Sequence, residues 1–238
     1  MLPFRILTIL LVGLGVYFFL LQELLAAVTS IVLLGGVITY GVTSPRSSLL
    51  CPLQWKLQDS KSVALTFDDG PDPKVTPIVL DLLKEHDIKG TFFLIGKEAN
   101  KNIELVKRIV NEGHTLGNHS FNHAFATNLF SYSKLRGDIT CASDALKQTC
   151  GQSPLRFRPP MGLKNPRVAK VAKELGLIVT TWSLKYTKDS TLEGGDIILF
   201  HDGYYLFGNS RPQDDTPALL SRAIQQIKTQ QLNTVALS

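Results

Sequence analysis

Beyond about Thr43 the chain alternates strand-like and helix-like segments. That alternation predicts an α/β fold built on a mainly parallel sheet of about seven strands. Two further observations frame it. The roughly 180 residues that follow the apolar N-terminus suit one domain of ordinary size. Ahead of them, Ile6–Leu21 and Leu24–Val42 carry no charge, and only Gln22 and Glu23 separate the two runs. The sequence is therefore expected to divide into a membrane anchor over 1–43, a linker over 44–60 and a soluble domain over 61–238.

A membrane core is crossed by roughly 20 apolar residues in a helix. The two runs together exceed one straight pass. Either they form two short passes with a tight turn at Gln22–Glu23, or one run spans while the other is tilted or interfacial. The apolar part is too long for an ordinary cleaved signal peptide, and no small-residue cleavage site follows the first run. Leu50 before Cys51 is a poor fit to a lipid-attachment site. Arg5 precedes the first run, and Arg46, Lys56 and Lys61 follow the second. Two passes would place the domain in the cytoplasm by the positive-inside tendency, and a single pass would place it outside.

In the soluble part, Val63–Phe67 reads as a buried strand. Val75, Ile78, Val79, Leu82 and Leu83 have helical spacing, which predicts a helix from Val75 to His86. Thr91–Ile95 is a strand rich in phenylalanine and β-branched residues. A helix from Ile103 to Val110 stops at Gly113, a natural C-terminal punctuation. Thr115–Asn118 is a short strand and Tyr132–Lys147 a helix with Gly151 just after it. Leu155–Arg158 is a strand. Asn165–Pro166 opens a helix to Leu175 as cap and first residue, and Gly176 closes it. Ile178–Trp182 and Ile197–Phe200 are strands, Pro217–Lys228 a helix, and Thr234–Leu237 the last strand. Such a set builds either an open doubly wound sheet or a barrel. Both put their chemistry beyond the C-terminal strand ends, where Asp68, Asp69, His119, Arg158, Trp182 and His201 fall.

The net charge of +5 is modest, and the basic residues form no arginine-rich block, which argues against nucleic-acid binding. No obligate protein partner is inferred. The three cysteines leave two readings open, a Cys141–Cys150 disulfide or three free thiols. No C-x-x-C metal pattern is present.

The chemistry-bearing residues begin at Asp68–Asp69–Gly70, where an apolar strand runs into two carboxylates. If the chain turns there, one acid can bind a metal while the other takes a proton from water. His119 and His123 lie four apart, and on a helical turn such a pair shares one face. With one carboxylate they would make a three-ligand site with an open position for water, suited to zinc. His86, near a helix C-terminus where a cationic ring is favourable, reads as structural, and His114 as packed at a loop. His201 follows a buried run and is a candidate acid or base. Arg158–Pro159–Pro160–Met161–Gly162 is a rigid turn that can aim a backbone amide.

T-F-D-D-G, H-S-F-N-H, R-P-P-M-G and L-F-H-D, in that order, closely resemble the polysaccharide deacetylases with a NodB-type domain, carbohydrate esterase family 4, from about Lys61 to the C-terminus. The resemblance implies a distorted (β/α) barrel, often of seven strands. It implies Asp68 as general base, Asp69, His119 and His123 as ligands of a divalent metal, usually zinc, and Arg158 as the residue that holds the base. Met161, through its amide, and Pro160, Leu199 and Trp182 would form the substrate pocket, and His201 would be the general acid. Two departures stand out. Met161 replaces the family's usual tyrosine. In the fourth motif Lys185 replaces the first aspartate, and Asp189 aligns with the second, as the residue that would orient His201, only across one extra position. The implied reaction is metal-dependent removal of N-acetyl groups from an N-acetylglucosamine-containing polysaccharide, such as peptidoglycan, a chitin-like oligomer or an exported polysaccharide. An acetylated glycan substrate places the domain outside the cytoplasm, anchored to the membrane. Two other readings keep the same residues: an O-acetyl esterase, and an inactive membrane-bound sugar-binding relic.

Overall fold

The computed structural model describes residues 2–203 and 215–237. The chain divides into two compact units, Met1–Gly41 and Val42–Ser238. The first is built by α1 (Leu2–Thr43), one helix of 42 residues. Gln22 and Glu23 do not interrupt it, so the tight turn between two passes is not formed. The reason is local: both residues are good helix formers, and neither glycine nor proline stands beside them. At 1.5 Å per residue the helix is about 63 Å long. Its stretch Ile9–Thr43 is long and apolar enough to cross a membrane.

The second unit holds an open half-barrel of parallel strands. In chain order they are β1 (Ser62–Asp68), β2 (Thr91–Leu94), β3 (Thr115–Asn118), β4 (Arg156–Phe157), β5 (Ile178–Val179), β6 (Leu184–Lys185), β7 (Ile197–His201) and β8 (Asn233–Thr234). Their spatial order is β5-β4-β3-β2-β1-β7-β6, and β8 pairs with the first residues of β1. The helices α2 (Thr76–Glu85), α3 (Gly96–Lys101), α4 (Ile103–Asn111), α5 (Tyr132–Cys150), α6 (Pro166–Glu174) and α7 (Thr216–Thr229) supply the other elements. Seven strands form the path, as expected, and the barrel stays open between β5 and β6.

The period-2 alternation of β1 organises the interior. Val63, Leu65 and Phe67 join the main core with Phe92 of β2, Leu80 and Leu83 of α2, and Leu220 and Ile224 of α7. A second cluster unites Phe157 and Val179 with Leu135 and Ile139 of α5 and Val168 and Val171 of α6. The intervening residues of β1 differ: Ala64 packs with Ile197 and Leu237, and Thr66 and Asp68 are buried polar side chains.

The Asn165 side chain caps α6 by accepting from the amides of Arg167 and Val168, as its sequence position suggests. Among the described strands and α-helices two escape the sequence reading: α3, a six-residue helix without apolar periodicity, and the two-residue β6. Strand β5 stops at Val179 rather than Trp182. Cys141 and Cys150 both lie on α5, nine residues and about 13 Å apart along its axis, beyond the reach of a disulfide. All three cysteines are free, and burial pushes the Cys51 thiol up to about 11. His86 ends α2 as expected, but as an acceptor: the Lys228 ammonium donates to its Nδ1.

His114 is buried after Gly113, whose φ of 84° lets the chain leave α4 for β3. Its Nδ1 accepts from the Gly90 amide at 3.0 Å and its ring meets Phe92 edge-on. Burial, with Lys89 nearby, lowers its pKa from 6.5 to about 4. The folded state therefore binds fewer protons here than the unfolded state, so this contribution is present above pH 6.5 and lost as the pH falls to about 4. His114→Gln is expected to flatten the decline of folding stability across that window, measured by denaturant unfolding at stepped pH.

Candidate active site

The site sits where β1, β3, β4 and β7 end. Asp68 is the last residue of β1. Asp69 takes φ 73°, a left-handed conformation that aspartate tolerates. That turn defeats strand alternation and lets both carboxylates serve one cavity. Gly70 follows because a Cβ there would lie 2.5 Å from the Asp202 carboxylate.

The two histidines come together by a different route from the expected helical turn. Asn118 ends β3, and His119–His123 form an irregular loop in which Ser120 (φ 66°) and His123 (φ 48°) are left-handed. Side chains hold that loop. Asn118 Oδ1 accepts from the Ser120 amide, Ser120 Oγ accepts from the His123 amide, and Asp138 of α5 accepts from the Phe121 amide and the Asn122 side chain. The imidazole centroids end 4.8 Å apart.

Asp69 Oδ1 then lies 3.4 Å from His119 Nε2 and 3.3 Å from His123 Nε2. Asp69 Oδ1 is a buried oxygen without a hydrogen-bond donor among the described residues. His119 Nδ1 donates to the Arg158 carbonyl at 2.7 Å, which leaves its Nε2 lone pair facing Asp69. Two ligand atoms at about 2.0–2.1 Å from one tetrahedral centre stand about 3.3–3.4 Å apart. One carboxylate and two imidazoles at that spacing fit a divalent ion, and Asp69, His119 and His123 form the candidate metal group, all three buried. Burial pushes Asp69 up, but the imidazoles of His119, His123 and His201 outweigh it and hold the carboxyl below its usual range. Burial pulls His119 down, and Asp68 and Asp69 outweigh it and raise the ring. Burial and the neighbouring His119 lower His123 to about 4.

Arg158 is fully buried. Its Nη1 donates to Asp68 Oδ1 at 2.7 Å and to Thr66 Oγ1 at 2.9 Å. Nη2 and Nε donate to the carbonyls of Thr181 and Thr180, and the guanidinium lies 4.0 Å over the Phe93 ring. Burial lowers its pKa and Asp68 opposes that shift.

In the Pro159–Gly162 turn, Met161 is left-handed (φ 56°, ψ 14°) and half-buried, and Pro160 is buried. Trp182 covers Gly162 so closely that a Cβ there would lie 2.7 Å from its ring. His201 lies beside Asp68 in register on the neighbouring strand, and buried Leu199 lies beside Thr66. Burial is the largest influence on His201 and lowers it, partly opposed by Asp68 and Asp69.

Asp189 does not join this group. After Lys185 the chain turns onto α7, where the Gln226 side chain donates to the Ser190 carbonyl and accepts from the Leu192 amide. Asp189 is exposed on that turn, and Asp68, Asp69, Lys185 and His119 are among the charges that act on His201. Lys185 on β6 stands beside Leu199.

Several site residues were not singled out by sequence reasoning: Thr66, Asn118, Ser120, Asp138 and Asp202. Asp202 is fully buried, accepts from Thr76 Oγ1 at 2.6 Å, and is pushed up to about 7 by burial and by the charges of Asp69 and Asp68. Its position directly after His201 in L-F-H-D was the available signal.

A half-barrel with a buried Asp–His–His group at its C-terminal strand ends suits metal-assisted hydrolysis. Residues 56–180 match the sequence profile of the polysaccharide deacetylase family. The chain is 38% identical over 200 residues to a peptidoglycan-N-acetylglucosamine deacetylase of Bacillus cereus, covering 77% of this chain and 90% of that one. It resembles the crystal structure of a peptidoglycan N-acetylglucosamine deacetylase bound to a naphthalenyl N-oxidanyl-benzamide (TM-score 0.69, 32% identity, 78% and 90% of the two chains). It also resembles a family 4 acetyl xylan esterase from Clostridium thermocellum in complex with a cobalt ion (TM-score 0.63, 29% identity, 74% and 88%). The chain belongs to the polysaccharide deacetylase family, whose members are hydrolases.

Adding Zn2+ or Co2+ to the chelator-treated protein is expected to raise its apparent Tm. His119→Gln and His123→Gln are each expected to weaken divalent-ion binding at least about tenfold by isothermal titration, with His114→Gln unchanged.

Proposed function

We propose that this protein removes N-acetyl groups from an N-acetylglucosamine-containing glycan, with Zn2+ held by Asp69, His119 and His123. The observation that carries this is the position of Asp69 Oδ1, 3.3–3.4 Å from two imidazole nitrogens, beside a second carboxylate already held by a buried arginine. The ion, when bound, supplies charge that polarises the acetyl carbonyl and acidifies water. The remaining roles belong to the chain. Arg158 occupies Asp68 Oδ1 and so turns Oδ2 toward the cluster, 3.8 Å from His119 Nε2. Asp68 takes the proton from the attacking water. The Met161 amide donates to the developing oxyanion. His201, on the strand beside Asp68, gives a proton to the departing amine. Leu199, Trp182 and Pro160 wall the acetyl pocket. The products are acetate and a glucosamine unit.

In this reading Leu2–Thr43 anchors the enzyme, residues 44–60 join it to the rest, and 61–238 carry out catalysis outside the cytoplasm. The relatives' cell-wall substrate supports that side of the membrane. Cys51 is buried and Cys141 exposed, so an impermeant maleimide is expected to label Cys141 in intact cells; labelling only after lysis would place the domain inside.

Hydrolysis of O-acetyl esters is a second reading, favoured by the likeness to the acetyl xylan esterase. Acetate release by the full-length protein in detergent, from N-acetylated chitooligosaccharide and peptidoglycan against O-acetylated xylan, separates the two. Asp68→Asn is expected to lower kcat by about 10²–10⁴-fold while Zn2+ still binds. Unchanged turnover in that variant would exclude Asp68 as the base.

A further inference from the structure

The residues that follow the apolar helix are bonded to the rest of the second unit at Ser44–Arg46 and again at Gln54. The Val42 carbonyl accepts from the Lys164 amide, and the Ser44 carbonyl accepts from Lys164 Nζ at 2.5 Å. Lys164 is fully buried, and burial lowers its pKa. An ammonium this deeply placed needs oxygen partners, and Ser44 provides one. The Pro45 carbonyl accepts from Thr181 Oγ1, and Arg46 Nη2 donates to the Ser183 carbonyl at 2.6 Å. Gln54 then pairs with the β5 edge: its amide donates to Val179 and its carbonyl accepts from Thr181. Lys56 bridges to Asp196 ahead of β7. The segment therefore crosses the opening between β5 and β6.

That opening lies beside Arg158. Thr180 and Thr181 present their carbonyls to Arg158. Among the described strands β5 pairs with β4 alone, and the outer side of Thr180–Ser183 is held by Pro45, Arg46 and Gln54. Continuous hydrogen bonds thus run from Pro45 through Thr181 and Arg158 to Asp68.

We propose that the juxtamembrane segment Ser44–Gln54 is a positioning part of the active site, closing the open seam of the half-barrel and holding Arg158 against Asp68 through Thr181. Thr181, Arg46 and Lys164 are its positioning residues, acting through Arg158 without touching substrate. The inference rests on the reading that Asp68 and Arg158 serve the reaction.

The test uses the full-length protein in detergent and three variants. Thr181→Val removes the hydroxyl donor at nearly constant volume, Thr181→Ser keeps it, and Arg46→Met changes only an exposed residue. The expected result is a fall in kcat of about tenfold for Thr181→Val and about threefold for Arg46→Met, with KM and Zn2+ affinity within about twofold of the parent and recovery in Thr181→Ser. A parent-like kcat in both Thr181→Val and Arg46→Met would overturn the proposal. If Thr181→Val does not fold, Arg46→Met decides. Hydrogen exchange over residues 178–185 needs no turnover and is expected to rise in Thr181→Val and not in Thr181→Ser; unchanged exchange in Thr181→Val would also overturn the clamp. A parent protein that releases no acetate, with the exchange result intact, would sink the deacetylase reading and leave the clamp standing.

Discussion

The buried ion pair between Arg158 and Asp68 is the constraint on which the site depends. A guanidinium removed from water is tolerated only when its donors are satisfied and its charge is met. Here a carboxylate, a threonine hydroxyl and two backbone carbonyls surround it, with an aromatic face against the plane. The same residue's carbonyl receives His119 Nδ1–H. One arginine therefore orients the carboxylate proposed as base and the imidazole proposed as metal ligand. Removing a partner from such a pair costs about 3–5 kcal/mol, because the other charge is left buried alone. Parallel strands place all these groups at one end, since Asp68 and His201 end β1 and β7 while His119 and Arg158 directly follow β3 and β4.

Local backbone conformation does the rest. Asp69, Ser120, His123 and Met161 all take positive φ. All four lie in the turns and loops that follow β1, β3 and β4. Such conformations disfavour ordinary side chains and persist only where surroundings enforce them. Asn118, Asp138 and Asp202 are those surroundings: buried polar groups that bond the loop amides of the histidine segment or pack against the Gly70 turn.

Much of the fold was legible in the sequence because its signals are local. The apolar run Val63–Phe67, the helical spacing of Val75–Leu83 and the Asn165–Pro166 cap each report their own segment, and each appears as expected. The failures share a cause. Strand β6 is two residues long, too short for a period, and exists because Leu184 and Lys185 pair with Ile198 and Leu199. α3 packs its glycine against α5 at Ala142, a contact no local pattern announces. The continuity of α1 through Gln22–Glu23 could not be told from charge alone, since one acidic residue is compatible with either a turn or a helix.

The sequence by itself determined the inventory of the site: adjacent carboxylates after a strand, two imidazoles four apart, an arginine before two prolines, and a histidine at a strand end. These are properties of residue type and spacing, so they can be read along the chain. Only the tertiary structure decided which groups meet. It brought Asp69 to His119 and His123 through left-handed turns, left Asp189 on an exposed turn, and laid residues 44–56 across the barrel's open side beside Arg158. Those outcomes depend on contacts between segments distant in sequence, where burial and hydrogen-bond satisfaction select a partner that spacing cannot specify.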